Sequence, residues 1–317
     1  MNTYLGIDGG GTKTKFTLAD PAGRILAEDA RPTCDYHQVG LDGLTRILEE
    51  GIDAVGAKAG VSRKEICGAF AGVPCYGDSA SNMPVLRGAV ARAMGGIPHR
   101  VGNDCENSLA GTLAGQCGIS LICGTGSIAF GRNAAGEVLR CGGWHQALGS
   151  DEGSGYWIGL KLLHLFTRQS DGRDPRTALY MVVREALSLD EDGDVIQRVV
   201  EEWGMERTRV AALSRLIGDL LEAGDPNAET ILSDAAHELA DMARTLYRRL
   251  GFEGVAPVSY SGGVFNLGAP ILEPLAAELS AHGMRLCPPK FPPDLGALIL
   301  AMQLDGLPCP EEFTGSV

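Results

Sequence analysis

Apolar and polar positions near the start of the chain follow the two-residue period of β-strands. Residues 3–7 are mainly apolar and end at Asp8, and residues 13–19 alternate between apolar and polar side chains. A turn over residues 21–23 leads into a third predicted strand over residues 24–28. The glycines between Asp8 and Lys13 are therefore predicted to join two antiparallel strands.

A second segment repeats this layout. Residues 119–123 form an apolar strand, Gly124 to Ser127 a glycine turn, and residues 128–131 and 137–141 two further strands. Two such units indicate an internal duplication with one glycine hairpin in each half.

The remaining pattern predicts alternating helices and strands, and the chain is mainly helical from Asp151 onward. Helices are predicted over residues 41–58, 83–94, from near Cys105, 156–167, 227–250, 268–281 and 295–303, and strands over residues 66–71, 100–102, 255–260 and 284–287. We expect an α/β protein of two domains with a cleft between them. The predicted domains are residues 1–110 and residues 111–317, the second with a helical insertion and a last helix that could pack back on the first.

Composition narrows the class of protein. A formal net charge of -13 makes nucleic acid and anionic membranes unfavourable partners. None of the nine cysteines has C-x-x-C spacing, and neither a signal-peptide pattern nor a membrane-length apolar run is present. We expect a cytoplasmic protein with reduced thiols.

The first glycine loop differs from the known phosphate loops that it superficially matches. Gly6 to Thr14 misses the P-loop spacing by one residue, and a strand follows where a P-loop needs a helix. What remains is a hairpin whose backbone N–H groups can approach phosphate oxygens, with Thr12 adding a hydroxyl and Lys13 a charge. An ordinary tight hairpin is the alternative.

The ordered set of motifs resembles the actin–hexokinase superfamily. The set consists of Asp8-Gly9-Gly10-Gly11-Thr12-Lys13, Asn103-Asp104, Gly124-Thr125-Gly126-Ser127 and Ser261-Gly262-Gly263-Val264. Within it the chain resembles the N-acetylglucosamine kinases of the BadF/BadG/BcrA/BcrD ATPase family. Three further stretches carry this resemblance: residues 36–40, Gly142-Gly143-Trp144 and residues 149–159.

The resemblance implies a duplicated, ribonuclease H-like ATPase fold, a homodimer, and ATP with Mg²⁺ as cofactors. It assigns the phosphates to Gly10, Gly11, Thr12, Lys13, Gly124, Thr125, Gly126 and Ser127, and the adenosine to Gly262 and Gly263. It also implies that Asp8 orients the magnesium hydration shell, which suits an ion that retains several waters.

The implied catalytic residue is Asp104, which would accept the proton of a sugar hydroxyl as that hydroxyl attacks the γ-phosphate. A helix N-cap is the other interpretation of Asp104. Asp151 and Glu152 are implied to contact sugar hydroxyls, although they could instead cap the next helix. Trp144, beside Gly143, could lie against a pyranose ring or pack in the core.

Asp35 departs from the family pattern, in which related kinases usually carry Asn. An ionised Asp only accepts hydrogen bonds, so it would favour a free amino sugar over an N-acetyl sugar. The predicted reaction transfers phosphate from ATP to the 6-hydroxyl of N-acetylglucosamine or glucosamine.

Three alternatives stay open. An ATPase activator of a radical acyl-CoA dehydratase or reductase would need cluster-binding cysteines, and Cys123 lacks the expected spacing. The zinc-containing glucokinase and repressor family needs a C-x-C-G-x-x-G-C run, which the sequence lacks. A non-catalytic ATP-binding scaffold or sensor is the third alternative.

Overall fold

The computed structural model describes residues 2–315. Its strands are β1 (Thr3–Gly9), β2 (Lys13–Ala19), β3 (Ile25–Pro32), β4 (Ile66–Val73), β5 (His99–Asn103), β6 (Gly118–Cys123), β7 (Ser127–Arg132), β8 (Val138–Gly142), β9 (Ala256–Ser261) and β10 (Met284–Leu286). Its α-helices are α1 (Tyr36–Ala59), α2 (Met83–Met94), α3 (Asp104–Thr112), α4 (Gly155–Ser170), α5 (Ala178–Leu187), α6 (Arg207–Ala212), α7 (Leu216–Glu222), α8 (Pro226–Arg249), α9 (Ala269–Ala281) and α10 (Pro293–Gln303).

These elements form two compact units. The first contains the chain up to Cys117 together with the segment from Pro288 onward, and the second is Gly118–Cys287. The predicted boundary lay near residue 110, whereas the units change over between Cys117 and Gly118. Helix α10 packs within the first unit, against α3 and β1.

The two sheets have the same topology. The first has the strand order β3-β2-β1-β4-β5 and the second β10-β9-β6-β7-β8, which is the same arrangement read from the other end. In each sheet the two hairpin pairings are antiparallel and the two remaining pairings are parallel. The predicted α/β fold with an internal duplication is confirmed.

Each unit buries its own core. In the first unit, β1, β2 and β4 pack Leu5, Phe16 and Ala69 against the apolar face of α1. In the second, β6 and β9 pack against α4, α8 and α9, with Phe166 fully buried. Glycines allow the closest contacts, as at Gly159, where a Cβ would overlap the Val210 carbonyl of α6.

Helix α1 begins earlier than the apolar periodicity predicts. It starts at Tyr36, whereas the pattern predicted residue 41, because the Asp35 side chain caps it by accepting the His37 N–H at 3.0 Å. Gly40, with φ +68°, interrupts the helical backbone and masks this first turn in the sequence.

Candidate functional site

The first glycine hairpin connects β1 to β2 and is tied down from one side. The Gly10 N–H donates to the Lys13 carbonyl at 2.8 Å, closing the turn. The Gly10 carbonyl accepts from Thr33 Oγ1 at 2.7 Å, and the Gly11 carbonyl accepts from Gln38 Nε2 at 3.0 Å. Residues 11–13 are exposed, and a Cβ on Gly11 would meet no atom within 4 Å. The tip is therefore open to a ligand.

Asp8 lies at the end of β1 beside this hairpin. Burial raises the pKa of its carboxyl group to about 6, opposed by a 2.7 Å hydrogen bond from Asn107 Nδ2. The Asp294 carboxylate raises this pKa further, and Lys15 lowers it. Within residues 2–315 no group of three or more His, Cys, Asp and Glu side chains could hold a metal ion. A single carboxylate fits Mg²⁺, which binds with most of its water shell retained.

Asp104 is the first residue of α3. The N-cap is Asn103, whose side chain accepts the Cys105 N–H at 2.9 Å, so the capping interpretation of Asp104 is wrong. Burial raises the pKa of Asp104 to about 7, and the negative charge of Asp8 contributes to the rise. The helix N-terminus favours the ionised form, yet desolvation dominates. The result is a carboxylate that titrates near neutrality.

Asp35 shares an electronegative region with Asp104. Its side chain accepts from Gln38 Nε2 at 3.1 Å in addition to capping α1. Burial raises the pKa of Cys75 to about 12, and the charges of Asp35, Asp78 and Asp104 add to the effect. The thiol therefore lies within electrostatic reach of both predicted site carboxylates and stays neutral.

The second glycine hairpin is anchored to the start of α4. The Gly124 N–H donates to the Gly126 carbonyl at 2.9 Å, and the Gly124 carbonyl accepts the Gly155 N–H at 2.8 Å. The Thr125 carbonyl accepts from Tyr156 at 3.1 Å, and Ser127 Oγ donates to the Glu152 carbonyl at 2.6 Å. All four predicted phosphate-loop residues thus belong to one braced turn.

Asp151 is buried against this hairpin. Its Oδ1 accepts the Ser127 N–H at 3.2 Å, and its Oδ2 pairs with Arg207 Nη2 at 2.6 Å. A Cβ on Gly126 would overlap the Arg207 guanidinium and approach the Asp151 carboxylate, so a larger residue there would displace this ion pair. The N-cap of α4 is Ser154, so the capping interpretation of Asp151 and Glu152 is wrong.

Trp144 lies on the surface of the second unit, 62% exposed, and the core-packing interpretation is therefore wrong. The guanidinium of Arg140 lies over its ring, 4.8 Å from the centroid. Gly143, with φ +69°, packs on Ile128 and sets the turn that presents the indole. Glu152, which follows later in the chain, is half-buried. Its side chain accepts a hydrogen bond from Ser150 Oγ at 3.3 Å.

A cavity of about 550 Å³ opens beside the second hairpin, entirely within the second unit. Its walls come from the hairpin, from α6 and the turn after it, and from the turn after β9: Gly124, Thr125, Gly155, Thr208, Ala211, Ala212, Ser214, Arg215, Gly263, Val264, Asn266 and Leu267. This volume is ordinary for a pocket that encloses a nucleoside-sized ligand. Of the predicted adenosine glycines, Gly263 lines the cavity, whereas Gly262 packs against the Cys123 carbonyl.

Several of these residues were not predicted from the sequence. Asn107 follows Asp104 by three residues, a spacing that puts both near one face of α3 and could have indicated it. Arg207 and the α6 wall of the cavity carry no local signal, because their roles depend on contacts across the fold.

The environment of Cys123 bears on the alternative function as an iron–sulfur ATPase activator. The Cys123 thiol is fully buried and donates to the Gly153 carbonyl at 3.3 Å, and burial raises its pKa. Such a thiol is poorly suited to ligate an iron–sulfur cluster.

Across residues 2–315, none of the helices combines the length and apolar character needed to cross a bilayer.

Comparison with known proteins gives consistent matches. Residues 5–301 match the model of the BadF/BadG/BcrA/BcrD ATPase family. The chain is 31% identical to an N-acetyl-D-glucosamine kinase of Dictyostelium discoideum, over 94% of this chain and 97% of the relative. It is also 31% identical to an N-acetylmuramic acid/N-acetylglucosamine kinase of Clostridium acetobutylicum, over 84% and 86%. The fold matches a candidate N-acetylglucosamine kinase from Chromobacterium violaceum, with TM-score 0.71, 24% identity and coverage of 95% and 99%.

Proposed function

Because the chain belongs to the BadF/BadG/BcrA/BcrD ATPase family, we propose that it is an ATP-dependent kinase of amino sugars. The reaction transfers the γ-phosphate of ATP to the 6-hydroxyl of N-acetylglucosamine or glucosamine. The observation that carries the proposal is Asp104, a carboxyl group at the start of α3 whose pKa is raised to about 7. A general base of that pKa suits proton transfer from a hydroxyl at neutral pH.

In the second unit, the cavity receives the nucleoside and residues 124–127 contact phosphate. Its lining mixes apolar and polar residues, and Thr208, Ser214 and Asn266 offer hydrogen-bonding groups to a ligand. Gly263 lines this cavity. Gly262 precedes it in the turn after β9, where it packs against the Cys123 carbonyl.

In the first unit, the proposed phosphate contacts are Gly10, Gly11, Thr12 and Lys13. Asp8 would hold Mg²⁺ through its water shell, and the ion would neutralise charge on the phosphates when bound. Thr12 and Lys13 are exposed at the hairpin tip, where a hydroxyl and an ammonium can reach an anion.

Asp104 accepts the proton of the attacking hydroxyl. Its position at the first residue of α3, with Asn103 capping the helix, fixes the carboxylate without using it as the cap. Proton removal in the transition state is the contribution of this residue; positioning and charge stabilisation come from the groups that hold ATP.

For the sugar, the contact that we assign in the first unit is Asp35. In the second unit the assigned contacts are Gly143, Trp144, Asp151 and Glu152. The exposed Trp144 ring offers an apolar face of the size of a pyranose. Asp35 offers an acceptor for an amine or hydroxyl.

The enzyme is further proposed to be a cytoplasmic homodimer. Within residues 2–315 no cysteine forms a disulfide, which suits a reducing compartment. Light scattering of the purified protein measures the assembly directly.

The proposal is tested by ADP release over a panel of N-acetylglucosamine, glucosamine, N-acetylmuramic acid, N-acetylmannosamine and glucose. N-acetylglucosamine and its 6-deoxy analogue form a matched pair, because the analogue differs only in the proposed acceptor. We expect an amino sugar to stimulate ADP release and the 6-deoxy sugar to be inert. Release that no sugar stimulates would contradict the kinase assignment, and phosphorylation of the 6-deoxy sugar would contradict the position.

A further inference from the structure

Asn107 connects the helix that carries Asp104 to the carboxylate of Asp8. Its side chain is fully buried on α3, three residues after Asp104. The amide nitrogen donates to Asp8 Oδ1 at 2.7 Å and to the Ile7 carbonyl at 3.3 Å. A carboxylate and a carbonyl only accept, so the nitrogen must face β1.

The path of this side chain is open only because residue 72 is glycine. Asp8 of β1 and Gly72 of β4 are register partners in the sheet, and the Asn107 amide lies directly on Gly72. A Cβ at that position would overlap the amide, so any other residue would displace it.

The opposite side of Asn107 is fixed by α10. A Cβ on Gly296 would overlap the Asn107 backbone carbonyl, and a Cβ on Gly111 would lie 2.6 Å from the Pro292 carbonyl. Helix α3 is thus packed backbone to backbone against α10, and Asn107 has little freedom to move away from Asp8.

An asparagine at this position costs the folded protein free energy. Its Oδ1 is buried and has no hydrogen-bond partner within the described chain. An unpaired buried acceptor costs about 1–3 kcal/mol. An apolar side chain of similar size would avoid that cost, so packing alone does not explain an amide here.

We infer that Asn107 is a positioning residue for Asp8, holding one carboxylate oxygen so that the other is presented to the hydrated Mg²⁺ of the nucleotide. Helix α3 then carries the proposed base, Asp104, at its first residue. One turn later it carries Asn107, which holds the Asp8 carboxylate. The inference rests on the proposed function, because it gives Asp8 a role only if Mg·ATP binds.

Asn107→Leu tests this inference. The substitution keeps the branched shape of the side chain and removes both the donor and the unpaired acceptor. Asn107→Ala, which is smaller, serves as a second variant in case the leucine does not fit. The control is Thr3→Val, at a fully buried residue on the same strand as Asp8. It removes the 2.9 Å hydrogen bond to the Glu65 carbonyl without touching Asp8. Thermal unfolding checks that each variant folds.

The measurement is ADP affinity by calorimetry, once with Mg²⁺ and once with EDTA. We expect the gain that Mg²⁺ gives the wild-type protein to fall about tenfold or more in the Asn107 variants, as for other residues that orient a metal-binding group. The Asn107 variants should keep the wild-type affinity for ADP in EDTA. The Thr3→Val protein should keep the wild-type gain from Mg²⁺. An undiminished Mg²⁺ gain in folded Asn107 variants overturns this inference alone. A wild-type protein with no Mg²⁺ gain overturns the proposed role of Asp8 and this inference with it.

Discussion

Arg207 Nη2 lies 2.6 Å from Asp151 Oδ2, and this ion pair joins α6 to the second glycine hairpin. The same carboxylate accepts the Ser127 N–H, so one buried group ties the hairpin to the helical segment. Arg207 Nε is itself buried without a partner among the described residues. The helical segment after α4 is therefore part of the proposed nucleotide site, since α6 both braces the hairpin and lines the cavity.

Arg207→Met is expected to weaken ATP binding and to destabilise the protein. It leaves the Asp151 carboxylate buried and unpaired, a change that costs about 3 kcal/mol when the partner is buried and less here because Arg207 is partly exposed. We expect the KM for ATP to rise more than the KM for sugar. Arg209→Met is the matched control, because its pair with Glu206 is about half exposed on both sides and contributes little. Equal effects of the two substitutions would contradict this role of Arg207.

Ala212→Leu is expected to obstruct the cavity without disturbing the core. Ala212 lines the cavity and is otherwise exposed, so a larger side chain enters the cavity itself. The KM for ATP should rise about tenfold or more, an effect of about 1.4 kcal/mol on binding, with the melting temperature unchanged. Ala57→Leu, on an exposed face of α1, is the control. An unchanged KM for ATP would show that the nucleoside binds elsewhere.

Asp104→Asn is expected to stabilise the protein in a pH-dependent way. The pKa of Asp104 is raised from 3.8 to about 7 in the folded protein, so folding favours the protonated carboxyl. Below about pH 4 the group is protonated in both states and costs nothing. As the pH rises through the folded pKa, the wild-type protein loses that advantage and the Asn variant does not. The melting-temperature difference should therefore grow between pH 4 and pH 7 and then level off. A difference independent of pH would contradict the raised pKa.

Asp35→Asn is expected to shift preference toward the N-acetyl sugar. Asn caps helices as well as Asp does, so α1 should keep its stability. The ratio of kcat/KM for N-acetylglucosamine to that for glucosamine should increase, because an amide can donate to the acetyl carbonyl and no longer attracts an ammonium. An unchanged ratio would remove the argument that Asp35 reads an amine.

The strands and hairpins were predictable from the sequence because their signals are local. Two-residue alternation after Asp8 identified β2, and the absence of a helix after the glycines distinguished this loop from a P-loop. The start of α1 was missed because Gly40 breaks the helical period that identifies the rest of the helix.

The alternative interpretation of Asp104, Asp151 and Glu152 as helix caps was wrong because neighbouring residues compete for the same role. Asn103 and Asp104 are both favoured N-caps, as are Asp151 and Ser154, and only the backbone geometry selects between them. The Asn107–Asp8 contact joins residues far apart in sequence, through a gap that Gly72 provides. Spacing along the chain carries no record of such a contact.

In the proposed reaction, Asp104 is the base that assists transfer of the γ-phosphate of ATP to an amino sugar. The most direct measurement is the rate of sugar phosphate formation, followed by phosphorus NMR, for the wild-type protein and Asp104→Asn from pH 5 to pH 9. We expect wild-type kcat/KM to rise with pH and to level off above about pH 7. The Asn variant should be about 100-fold slower or more, with ATP affinity retained. A variant that forms sugar phosphate at the wild-type rate would contradict the role of Asp104 as the base.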